Sequence, residues 1–196
     1  MKRTKLVVFG IVLVALVLGM SGCTSTPVKD AEPVQDDIIT YLSNREGRMP
    51  AMMEIDQVVD MALSSHNEYN GSTTHFRWGD LSGIPLYVVS LFPDLGVIKE
   101  GKEISRQELT EFIKRNYELF KDPRVCLGTW YNEADGNTYI DINVVMADKE
   151  KAVALGKKYN QISIFNLETF EETPTGGDGT PIENLPEPEE RLPEFE

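Results

Sequence analysis

Thr138-Tyr139-Ile140-Asp141-Ile142-Asn143-Val144-Val145-Met146 is the stretch that decides the fold. Ile140, Ile142, Val144 and Met146 fall on one side of an extended chain, with Tyr139, Asp141 and Asn143 on the other. That two-residue period predicts a strand over 138–146 with one face in a core and one polar face. Just upstream, Asp135-Gly136 has the chemistry of a tight turn, and Val125 to Tyr131 predicts the strand before it. Just downstream, Asp148 caps a helix whose face is Ala152, Leu155, Gly156 and Tyr159. Gln161 to Leu167 predicts a further strand.

Further upstream, Ser105 and Glu108 form a capping box and open a helix. Its apolar face is Leu109, Phe112, Ile113 and Phe120, and Pro123 bars its continuation. Pro85 to Phe92 is an apolar run suited to a strand buried on both faces. In chain order this is β-α-β-β-α-β, an α+β fold on the ferredoxin-like, split βαβ plan. It predicts an antiparallel sheet with the first and third strands in the middle and helices on one face. The other face shows Tyr139, Asp141 and Asn143, with Trp130 beside them, unless a helix from the N-terminal side covers it. Such a helix is predicted from Pro50 to about Ser65, with Met52, Ile55, Val59 and Ala62 on one face. His66 to Gly83, polar and aromatic with three glycines, reads as a long loop.

The ends have a different character. Lys2, Arg3 and Lys5 precede an unbroken apolar run of 15 residues, Leu6 to Met20, and Met20-Ser21-Gly22-Cys23 follows. A helix needs roughly 20 residues to span a bilayer, so this run is short for a permanent span. The segment resembles a bacterial lipoprotein export signal, although Met20 stands where Leu is more usual. The resemblance implies that residues 1–22 are removed and that Cys23 is diacylated on sulfur. It also implies a cell-envelope location, with the domain outside the cytoplasm. Thr24 implies release to the outer membrane if the cell is Gram-negative. An uncleaved anchor and ordinary signal cleavage are the competing readings. Residues 23–37, rich in Pro, Ser, Thr and acid, read as a flexible tether, and the domain proper as 38–170. Residues 171–196 hold nine acids, one Arg and five Pro, and read as a disordered acidic tail.

Loss of the three signal cations takes the formal charge from −13 to −16. That charge argues against nucleic acid as a partner and leaves the membrane contact to the lipid. An envelope protein or a small ligand remains a possible partner. With Cys23 acylated, Cys126 has no partner and reads as a buried structural thiol.

A second resemblance rests on three stretches: Leu127-Gly128-Thr129-Trp130 through Tyr139-Ile140-Asp141, Asn160-Gln161-Ile162-Ser163-Ile164-Phe165-Asn166-Leu167, and Thr175-Gly176-Gly177-Asp178-Gly179. Over residues 76–179 the chain resembles small uncharacterised domains of phage-related and other bacterial proteins. The resemblance implies no activity. It does imply that Asn160-Gln161 and the glycine segment belong to the domain.

His75-Phe76-Arg77-Trp78-Gly79-Asp80 gathers a base, a cation, an aromatic and an acid in a glycine-flanked loop. One reading makes His75 a general base oriented by Asp80. The competing reading has Phe76 and Trp78 packing the loop down while Arg77 pairs with Asp80. Arg77, Trp78, Trp130 and Tyr139 are the candidate binding residues. Asn132, Glu133, Asp135, Asn137 and Asp141 could offer oxygen ligands to Ca²⁺, but their spacing does not match an EF-hand, and a hairpin tip accounts for them. No metal site is expected. Thr175 to Gly179 lacks the Lys and Ser/Thr of a phosphate loop, so no cofactor is expected either. The chain therefore reads first as a non-enzymatic binding module, second as an exported hydrolase using the His75–Asp80 loop, and third as a prophage-type surface lipoprotein that interferes with incoming phage or plasmids.

Overall fold

A computed structural model describes Leu42 and residues 47–192. The export signal, Cys23 and the tether lie outside the described residues. Among the described residues no helix is long and apolar enough to cross a membrane.

The fold is α+β, a curled antiparallel sheet with helices against it. Helix α1 (Ile55–Tyr69) begins later than Pro50, because Glu54 and Gln57 supply a capping box there, and Asn70 ends it in a left-handed conformation. Strands β1 (Gly71–His75) and β2 (Gly79–Asp80) follow, in what reads from sequence as loop. Then come β3 (Tyr87–Ser90), β4 (Val97–Glu100), α2 (Arg106–Arg115) and the short α3 (Tyr117–Phe120). The capping box predicted for α2 forms between Ser105 and Glu108. Next are β5 (Val125–Asn132), β6 (Asn137–Met146) and α4 (Lys149–Lys158), whose N-cap Asp148 accepts from the Lys151 N–H. The last described elements are β7 (Ser163–Asn166), β8 (Glu171–Pro174) and the single turn α5 (Pro188–Arg191).

The sheet is twice the size expected from the sequence. Its eight strands run β2-β1-β5-β6-β3-β7-β8, with β4 also paired to β6. At ten residues β6 serves two partners along one edge. Tyr87–Ser90 pairs with Asn143–Met146, and Val97–Glu100 pairs with Asn137–Ile140. Asp141 and Ile142 lie between the two pairings, where residues 91–96 leave the ladder.

The main core forms where the sequence places it. Ile140, Ile142, Val144 and Met146 share one buried cluster with Val125 and Leu127 from β5, Val59 and Ala62 from α1, Phe112 and Ile113 from α2, and Leu155 from α4. The helix at 55–69 therefore packs on the same face as the others and leaves the opposite face to other groups. At one end of that face Leu81, Leu86, Val88, Cys126, Val145, Leu167 and Leu42 form a second buried cluster.

The acidic C-terminal segment is not a solvated tail through residue 192, and the domain extends past 170. Glu171–Pro174 pairs with Ser163–Asn166 as an edge strand. Thr175 is buried, and the Gly177 and Gly179 N–H groups donate to the carbonyls of Gln161 and Asn160. Gly177 lies so close to Asn160 that an added Cβ would stand 2.4 Å from its carbonyl carbon. Leu185 and Leu192 join the core cluster, and Arg191 is 2% exposed. Composition predicts disorder when apolar surface is scarce. Here the core supplies the apolar contacts, and one ion pair, the buried Arg191 with the solvent-exposed Asp94, holds the segment down.

Candidate functional site

The His75–Asp80 loop does not assemble a catalytic pair. His75 is 1% exposed; its Nε2–H donates to the Pro123 carbonyl at 2.9 Å. Its Nδ1 accepts the backbone N–H groups of Arg77 at 2.9 Å and Trp78 at 3.3 Å. Both ring nitrogens are committed, and burial pushes the imidazole pKa down to about 4. Asp80 lies elsewhere: its carboxylate accepts from the Ser65 hydroxyl at 2.6 Å and the Ser82 N–H at 2.8 Å. Arg77 does not pair with Asp80; its guanidinium donates to the Pro50 carbonyl. Trp78 rests against His75 with ring centroids 4.4 Å apart, and its buried Nε1–H has no partner among the described residues. These residues close a turn. A base with no free lone pair cannot take a proton from a nucleophile.

Cys126 is the cross-strand neighbour of His75. It is fully buried, and burial pushes its thiol well above the ordinary range, so the thiolate is not populated. The hairpin-tip oxygens are also engaged. Asp135 accepts from the Asn137 N–H and, at 2.6 Å, from the Tyr139 hydroxyl, while Asn132 accepts from the Ala134 N–H. Burial and this hydrogen bond to Asp135 raise the Tyr139 phenol to about 12.

The uncommitted polar groups lie on the sheet face opposite the helices. Register places Trp130 opposite Tyr139, Gly128 opposite Asp141, and Cys126 opposite Asn143. Trp130 and Tyr139 form a wall, with ring centroids 5.3 Å apart. Below that wall two glycines let two polar side chains lie flat. A Cβ on Gly96 would stand 2.8 Å from Asp141 Oδ1, and one on Gly128 would stand 1.9 Å from Asn143 Nδ2. No hydrogen bond or ion pair reaches either side chain from the described residues. Burial raises the Asp141 carboxyl to about 7. The curl of the sheet turns this face into a concave cavity of about 1070 Å³. Its rim carries Tyr69, Ile98 and Phe170, three of the large apolar side chains left exposed.

No family model, curated protein or solved structure matches this chain. What the site can do therefore follows from its own side chains. A cavity with an aromatic wall, an apolar rim and a few convergent polar groups is the usual form of a small-molecule site.

Of the candidate binding residues, Trp130 and Tyr139 line this cavity, whereas Arg77 and Trp78 do not. Asn143 and the placement of Asp141 are the features that the sequence does not single out. Period-two alternation does put both in one row with Tyr139. Gly128 makes the room for Asn143 and Gly96 that for Asp141, and Gly96 precedes a strand paired to β6 that carries no recognisable signal of its own.

Proposed function

We propose that this protein is a non-enzymatic binding module held at the cell envelope by lipid on Cys23, with the concave sheet face as its binding site. One observation carries the binding reading: an unpartnered carboxyl group, Asp141, on the floor of a cavity of about 1070 Å³ walled by Trp130 and Tyr139. Asp141 is half-buried, and its carboxyl opens into the cavity with no protein partner among the described residues, so it is free to receive a polar group of a ligand. The anchor rests on the basic start, the 15-residue apolar run and the Met20-Ser21-Gly22-Cys23 motif. One acyl chain binds a membrane only marginally, whereas two hold a protein stably. We further read β3, α2, β5, β6, α4 and β7 as a ferredoxin-like core with β1, β2, β4 and β8 added at its margins. The antiparallel pairings of β7 with β3, β3 with β6 and β6 with β5 support that reading.

Two experiments test the proposal. Cys23→Ser should abolish incorporation of labelled fatty acid and leave the protein either retained as precursor or shed from the membrane; unchanged labelling and fractionation would refute the anchor. A thermal-shift screen of small molecules on the full chain should give ligands whose effect disappears in Trp130→Ala. A substrate turned over by the wild type, and lost in both His75→Ala and Asp80→Ala with folding intact, would replace this reading with the hydrolase.

A further inference from the structure

The charge lining the cavity has one sign. Asp80, Glu133, Asp141 and Glu172 contribute to its wall, and no Lys, Arg or His is among the described lining residues. An anionic ligand would meet four carboxylates with nothing to offset them. A neutral ligand that covers Asp141 would strip water from the half-buried carboxylate without supplying a counter-charge, and the group would have to take up a proton. A cation answers both conditions, because an ammonium or guanidinium group supplies hydrogen-bond donors and charge together. The adjacent wall suits the same chemistry: indole and phenol faces attract a cation within about 6 Å of the ring centroid. The exposed Ile98 and Phe170, at 52% and 60%, give an apolar body somewhere to rest.

We infer that the site takes an organic cation with a flat apolar body, its charged nitrogen against Asp141 and its body against Trp130 and Tyr139. This inference rests on the concave face being the binding site. Asn143, beside Asp141, has an amide able to donate to or accept from a second polar group on the ligand. The Asp141 carboxyl is poised for the exchange, since burial holds its pKa near 7 and an arriving cation completes its ionisation.

The test uses three indoles of one size and different charge: tryptamine, tryptophol and indolepropionate. Each is titrated calorimetrically into the full-length chain in neutral detergent micelles at pH 8. Tryptamine is expected to bind at least about tenfold tighter than tryptophol, and indolepropionate weakest of all. Asp141→Asn, a near-isosteric change whose folding is checked by circular dichroism, should bring tryptamine to the level of tryptophol. If tryptophol binds as tightly as tryptamine and both are lost in Trp130→Leu, the cation inference falls while the binding site stands. If none of the three binds, both fall. The ranking on the wild-type chain decides the matter even if Asp141→Asn does not fold.

Discussion

Arg191 and Asp94 meet across 97 residues of chain: the Arg191 Nη2–H donates to Asp94 Oδ2 at 2.9 Å, and Nη1 bonds both Asp94 Oδ1 and the Leu91 carbonyl. The guanidinium is 2% exposed and lies over the Phe92 ring. The contact ties the end of the domain to the turn at 91–96, whose Gly96 underlies Asp141. The C-terminal segment thus braces the floor of the proposed site.

Asp94→Ala should be costly for that reason. It leaves a buried guanidinium without its counter-charge, though Asp94 itself is exposed and Arg191 keeps its bonds to the Leu91 and Pro186 carbonyls, so the cost should be about 1–3 kcal/mol. Urea denaturation should show a lower midpoint with little change in slope. Limited proteolysis should cut faster after residue 180, because the segment beyond loses its clamp. Cleavage at the wild-type rate would count against the brace.

Gly128→Ala tests the close approach on the cavity floor. The new Cβ would overlap the Asn143 side-chain amide, which must swing away or force the strands apart. Overpacking of this kind costs about 1–3 kcal/mol. For a domain of this size that corresponds to a Tm lower by roughly 2–10 °C, measurable by calorimetry. A Tm equal to wild type would mean that Asn143 moves without strain.

His75 and Asp141 should oppose each other in the pH dependence of stability. The His75 pKa is lowered from 6.5 to about 4, so between those values the unfolded chain holds more protons and stability rises with pH. The Asp141 pKa is raised from 3.8 to about 7, so there the folded chain holds more protons and stability falls with pH. Denaturant midpoints from pH 4 to 8 should therefore be flatter in the wild type than in Asp141→Asn. The variant should show only the rising limb, to which His66, also lowered by burial, and the low-pKa Glu108 add to His75, and gain on the order of 2 kcal/mol at pH 8, after discounting for the water that reaches the carboxylate. A variant profile that follows wild type at every pH would remove Asp141 from the account.

Cys126 should be silent to thiol reagents in the folded protein. Its sulfur is fully buried, and burial disfavours the thiolate that reacts. In Cys23→Ser, an aromatic disulfide reagent should titrate close to no thiol in native buffer and one in guanidinium. Rapid native labelling would show that strands β1 and β5 separate readily.

Much of the layout is legible in the sequence because local chemistry writes it. The Ser105–Glu108 capping box, the Asp148 cap, the Asp135-Gly136 turn and the alternation over 138–146 each act within a few residues, and each takes the expected form. The polar strands are not legible. Gly71-Ser-Thr-Thr-His75 and Glu171-Glu-Thr-Pro174 carry no apolar alternation; their backbone hydrogen bonds to β5 and β7 make them strands. The His75–Asp80 candidate fails for a related reason. A strand pair points neighbouring side chains to different surroundings, so closeness in sequence does not make a site.

Local patterning in the sequence is enough to say which face of each principal strand and helix is buried. Burial preference is a property of each side chain and its periodicity, and a linear chain displays both. The folded chain alone sets Asp141 where β3 and β4 part along β6, opens space for it at Gly96 and for Asn143 at Gly128, and brings Arg191 to hold the C-terminal segment in place. Those relationships join groups 13 to 97 residues apart through hydrogen bonds, close packing and charge, which exist only once the chain has closed on itself.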